Sequence, residues 1–156
     1  MEEQHEVPTP GRLSAPARRV VRTAVSGEPL DVAEHADLVG AAAAGAVVTF
    51  AGVVRDHDHG RAVRELEYVG HPSAPDVLAA VVAEVAAGLD VDAVAVSHRL
   101  GHLVIGDVAL AVAVSAAHRQ EAFAACARLV DEVKDRLPVW KHQHFTDGTS
   151  EWVACP

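Results

Sequence analysis

Two hydrophobic periods alternate along the chain. Val20 to Val25 is short and rich in β-branched residues, and predicts a strand. Asp31 is placed to cap a helix running to about Ala44, with Gly45 as its stop. Ala46 to Val54 is a continuous apolar run, read as a buried strand, and Gly52 inside it marks a bulge or a close backbone approach. Arg55-Asp56-His57-Asp58-His59-Gly60 reads as a polar loop. Val63 to Val69 alternates, and predicts a strand free to form a hairpin with the one before it.

Ser73 opens a second helix with Pro75 in its first turn and Asp76 three residues on, a start like a capping box. Val77, Leu78, Val81, Val82, Val85 and Leu89 keep the helical period, and Gly88 marks the end. Val91 to Arg99 predicts a strand, Gly101 to Gly106 a turn-rich connection, and Asp107 to Ser115 another buried strand. A long helix follows from about Arg119 to Leu137, with Ser115 as a candidate cap and Pro138 as its stop. Val139 to Phe145 and Thr149 to Ala154 read as a hairpin around Thr146-Asp147-Gly148. Residues 1–18 carry three prolines, scattered charge and no apolar period, and are expected to be a disordered arm. Residues 19–156 show no internal repeat and no linker. The order of elements predicts a single α+β domain, a mixed or antiparallel sheet with packed helices.

Charge narrows the function classes. The chain has 156 residues, and 13 basic against 22 acidic side chains give a net charge of −9. Nucleic acid and anionic lipid repel such a molecule at long range, so an anion can bind only in a local basic pocket. Two cysteines, Cys126 and Cys155, make no disulfide framework and fit a reducing compartment. The acidic, proline-containing start lacks the features of a signal peptide. Leu38 to Val54 is broken by Gly40, Gly45 and Gly52, which is short and weak for a membrane span. The expectation is a cytoplasmic protein.

Lys134 and Lys141 are the first candidates for chemistry. On a helical wheel Phe123, Cys126, Ala127, Val130, Val133 and Leu137 form an apolar stripe, and Lys134 falls between Ala127 and Val130, facing the sheet. The bland alternative is a last-turn lysine that snorkels to water. Pro138 turns the chain back, so Lys141 can approach Lys134; two ammonium groups together bind an anion, move a proton or attack an acyl carbon. His118-Arg119 stands at a helix start, where backbone N–H groups and a guanidinium suit phosphate or carboxylate. Arg55 leaves the end of an apolar strand, a common place for a ligand group. The pairs His57/His59 and His142/His144 raise a metal reading, but no third ligand stands at a diagnostic spacing, and no metal is assigned. Cys126 lies on the apolar face and reads as core.

These residues resemble a known family. Gly45-Ala46, Phe50, Gly52, Val54-Arg55 and His57 match the spacing of a segment in the catalytic, large subunit family of molybdopterin synthase. Leu66-Glu67-Tyr68, His98-Arg99-Leu100-Gly101, Gly106-Asp107, Ser115-Ala116-Ala117-His118-Arg119, and Lys134 through Pro138-Val139-Trp140-Lys141 follow in the family's order, over about Val20 to Val153. The resemblance implies an α/β hammerhead fold and a sulfurtransferase. Sulfur would come from the thiocarboxylated C-terminal Gly-Gly of a small ubiquitin-like carrier and form the molybdopterin dithiolene on cyclic pyranopterin monophosphate. It implies a homodimer of large subunits, a heterotetramer with the carrier, and no cofactor. Carried over by position, Lys134 and Lys141 are catalytic, and Val53, Val54, Arg55, His118, Arg119, Lys134, Lys141, His142 and Gln143 bind substrate. Val53 stands where a threonine is frequent, and His142-Gln143 replaces a commoner Arg-Glu or Lys-Glu pair. The alternative is a non-catalytic dimeric ligand-binding or scaffold module on the same fold.

Overall fold

The computed structural model describes residues 11–154, so part of the expected arm, residues 1–10, and Cys155 lie outside the described residues. Two sheets divide the chain. The first has strand order β1 (Arg19–Ser26), β5 (Ala93–Arg99), β7 (Val108–Ala116) and β2 (Ala46–Val53). β1 runs parallel to β5, and the other neighbours are antiparallel. Helix α1 (Val32–Leu38) packs on this sheet, as do α2 (Ala74–Ala87) and α3 (Arg119–Arg136), which also contact one another. The main core lies between the sheet and α2 and α3. There Leu78, Val82, Val94, Val112, Leu129 and Val133 are buried together. Val39 plugs a smaller cluster with Ala93, Ala95 and Ala113.

The second sheet has the order β3 (His57–Asp58), β4 (Arg61–Gly70), β8 (Val139–Phe145) and β9 (Ser150–Ala154), with β6 (Gly101–Val104) added along β4. Its inner face joins the first sheet through a cluster of Val54, Leu66, Leu103 and Ala109. The result is the α+β domain that the order of elements predicts. No described helix is long and apolar enough to cross a membrane.

Several local expectations are corrected. α1 ends at Leu38 with Val39 as its cap, not near Ala44. Val39 is wholly buried in its cluster, and Gly40 follows, a residue that weakens a helix by about 1 kcal/mol. Asp31 does cap α1, accepting the Glu34 N–H. Ser73 makes no side-chain cap; it bonds His71 instead. Ser115 is a buried residue of β7, and the cap of α3 is His118. β2 is an edge strand rather than a fully buried one, with Val47 and Val53 about half exposed. Nor does it pair with β4: β2 stays in the first sheet beside β7, and β4 crosses to the second.

Gly52 lies beside a bulge: the register shifts between Gly52 and Val53, and the extra residue is Ala109 of β7. Residues 11–18 form no helix or strand, yet Arg12 pairs with Asp92 at 2.5 Å with both side chains nearly buried. The Arg18 backbone N–H donates to Val91. These contacts lay that stretch along the start of β5.

Candidate active site

The place where the two sheets meet holds a cavity of about 390 Å³. Three elements bring cations to it. Past the bulge beside Gly52, Val53 still pairs with Val108, and the strand then ends and hands the chain to Val54 and Arg55. Val54 is anchored on both sides, its N–H donating to Asp107 and its carbonyl accepting from Gly106. Arg55 therefore starts from a fixed point, and its Nε donates to the His57 carbonyl at 2.9 Å. α3 brings Lys134. β8 brings Lys141, which stands between Tyr68 and Val153 on the neighbouring strands.

Alternation along β8 decides which residues enter. Val139, Lys141, Gln143 and Phe145 point inward, and Trp140, His142 and His144 point outward. Lys141 and Gln143 line the cavity. His142 does not; it stacks on Trp152 with ring centroids 4.3 Å apart, and on His144. The resemblance put His142 in the substrate set, and the pleat places it on the other side of the sheet.

Lys134 is exposed rather than set in the apolar stripe. The buried face of α3 is Ala122, Ala125, Cys126, Leu129, Val130 and Val133, while Phe123 is 61% exposed. Lys134 flanks that face and reaches the cavity from the rim. His118 and Arg119 are not in the cavity. They start the helix that carries Lys134 near its end, about 22 Å away along the axis at 1.5 Å per residue.

Sequence reasoning missed three cavity residues. The sequence pattern reads Asp58 as part of a polar loop. It is instead the last residue of β3, held by a two-residue turn in which His59 (φ 48°) and Gly60 (φ 76°) are both left-handed, the geometry of a tight hairpin. A His-Gly pair signals such a turn less clearly than Asn-Gly. Tyr68 and His98 meet edge to face at 5.0 Å on the inner wall. Nδ1 of His98 donates to the Arg99 carbonyl at 2.8 Å. Burial pushes the His98 imidazole down to about 4, opposed by that hydrogen bond and assisted by the nearby charge of Lys134.

The electrostatics match the expected class of ligand. Arg55, Lys134 and Lys141 face one cavity, and Asp58 is the acidic residue among the cavity's described lining. An anion held there meets fixed cations in place of water. No group of three or more His, Cys, Asp or Glu side chains among the described residues is placed to hold a metal ion. Burial pushes the Cys126 thiol up, which disfavours the nucleophilic thiolate.

Comparison with known proteins gives the lineage. The family described as MoaE protein matches residues 25–136. The chain belongs to that family. It is 38% identical over 133 residues to a molybdopterin synthase catalytic subunit from Nostoc, covering 84% of this chain and 81% of that protein. It is 35% identical over 137 residues to the protein of that name from Arabidopsis thaliana, covering 87% and 69%. Among solved structures it resembles the crystal structure of molybdopterin synthase from Staphylococcus aureus. The TM-score is 0.77 with 30% identity, covering 83% of this chain and 95% of that one. The matched region of the family contains Arg55, His98 and Lys134, and ends just before Lys141.

Proposed function

We propose that this chain is the catalytic subunit of a molybdopterin synthase, a sulfurtransferase that works with a separate small sulfur-carrier subunit. The observation that carries the reading is the convergence of Arg55, Lys134 and Lys141, from three different elements, on one cavity of an otherwise acidic protein. Both partners in the reaction are anions: the thiocarboxylate end of the carrier and the cyclic pyranopterin monophosphate. Lys134 at the rim and Lys141 inside orient the carrier tail and stabilise the charge that builds on oxygen or sulfur as sulfur leaves the carbonyl. Arg55 at the mouth binds phosphate or carboxylate with its free guanidinium edge. Val53, Val54 and Gln143 shape the wall.

His118 and Arg119 enter this scheme only through assembly. They stand about 22 Å from Lys134 within one chain. A contact from them to the substrate of this cavity requires a second copy, which agrees with a homodimer. A scaffold module explains the fold equally well, but gives no reason to gather three cations around one cavity. A cytoplasmic site of action accords with the substrate and with the free, buried Cys126.

The test is reconstitution. Purified protein is mixed with thiocarboxylated carrier and cyclic pyranopterin monophosphate, and dithiolene product is measured. Formation of product, abolished in Lys134→Ala and Lys141→Ala, is expected. No product from wild type, or full activity in both variants, overturns the assignment.

A further inference from the structure

An acid inside a cavity built for anions is out of place electrostatically, and Asp58 is such an acid. Its side chain is 12% exposed. Oδ2 accepts from Nε2 of Gln143 at 2.7 Å, and Gln143 is itself 2% exposed. Oδ1 accepts from the Arg55 guanidinium at 3.2 Å, with His59 at 3.9 Å. The Gln143 hydrogen bond, then Arg55, then the charges of Lys141 and His59 hold the carboxyl below its ordinary value, against its desolvation. The group is an anion at neutral pH. The left-handed turn at His59-Gly60 fixes its backbone, and the buried amide fixes its plane.

We propose that Asp58 is a positioning residue of this site, a built-in anion that holds Arg55 in place and keeps the cavity from binding its anionic partners too tightly to release them. The inference rests on the sulfurtransferase reading. Without Asp58, Arg55 loses its bonded counter-charge and is free to close on the substrate, while Lys141 faces the anion with no opposing charge among the cavity's described lining. Ground-state binding of an anion then strengthens while the geometry for transfer loosens, and tighter binding of that kind does not raise turnover.

The partners make the idea separable from a structural role. Asp58→Asn keeps an oxygen that accepts from Gln143, removes the charge, and sets an NH2 donor against Arg55 where the carboxylate offered an acceptor. Gln143→Glu sets a second carboxylate against the first. Asp58→Asn/Gln143→Glu exchanges acid and amide across the same hydrogen bond. Carrier affinity is measured by calorimetry with the full-length chain, kcat and KM by dithiolene formation, and folding by thermal melting.

In Asp58→Asn, kcat falls about tenfold while carrier Kd and KM tighten, the split that marks lost ground-state restraint. Gln143→Glu weakens carrier binding. The double variant returns both quantities to within about threefold of wild type, the non-additivity expected of directly coupled neighbours. Unchanged kcat and Kd in Asp58→Asn, or a double variant no better than the singles, overturns the proposal. A wild type that binds carrier but makes no product defeats the sulfurtransferase reading instead, and the order of Kd values still judges Asp58.

Discussion

The two sheets obey different rules. In the first, β5 and β7 are buried almost end to end, because helices cover both faces. Their residues are mostly alanine and valine, which read as continuous apolar runs and carry no chemistry beyond His98 at one end. In the second, each strand has one face inward and one outward, and the two faces differ in kind. On β8, Lys141 and Gln143 enter the cavity, and His142, one residue away, stacks on Trp152 outside. A strand covered on both sides tolerates only packing residues. A strand covered on one side can present a cation to a cavity and keep its backbone satisfied by its neighbours. β5 and β7 are thus mainly scaffold, while the end of β2 and α3 supply Arg55 and Lys134 and the second sheet supplies Asp58, Lys141 and Gln143.

The sharpest way to break this division is to cut one residue from each side. Lys141→Ala is expected to reduce dithiolene formation about 100- to 1,000-fold, the usual loss when a preorganised charge is removed, with little change in melting temperature. Leu129→Ala does the reverse. Leu129 is wholly buried in the α3 contact with the first sheet, and its truncation is expected to cost about 2–5 kcal/mol in denaturant unfolding. Activity measured well below the melting temperature then stays within about twofold, since Leu129 is not among the cavity's described lining and no cation has been removed.

His98 belongs to both regions and sharpens the boundary between them. Its folded value of about 4 lies below the ordinary 6.5. Between those values the unfolded chain takes up a proton that the folded chain refuses. Its contribution to stability is therefore complete above pH 6.5 and is lost as pH falls toward 4, about 3 kcal/mol in all. Urea melts from pH 7 to pH 4.5 are expected to show that decline in wild type and a flatter profile in His98→Phe, which fills the space and cannot titrate. Equal slopes in the two proteins would show that another group controls the decline.

The smallest effect tests the pleat itself. His142→Ala is expected to leave dithiolene formation within about twofold, in contrast to its neighbour Lys141. A loss approaching that of Lys141→Ala would mean that the outer face of the second sheet also meets substrate, through a second copy of the chain.

Much of this was legible in the sequence. The long α3, the hairpin of β8 and β9 and the irregularity beside Gly52 follow from local period and from turn residues. The cations Arg55, Lys134 and Lys141 could be named one by one, since each stands at the end of an element or beyond a proline stop. The resemblance put His142, His118 and Arg119 beside them, and the structure of one chain does not. The two short strands β3 and β6 escaped notice because a strand of 2 or 4 residues has no period to detect.

By itself the sequence determined where the longer helices and strands lie and which residue types could meet an anion, because those depend on neighbours three or four positions away. Only the tertiary structure decided that β2 and β4 part into different sheets, that Lys134 sits on the rim rather than under the helix, and that Asp58 shares its cavity with the cations. Those outcomes depend on pairings across many residues, such as Asp58 with Gln143, 85 positions apart. No local pattern encodes such a pairing; it is set when the whole chain packs.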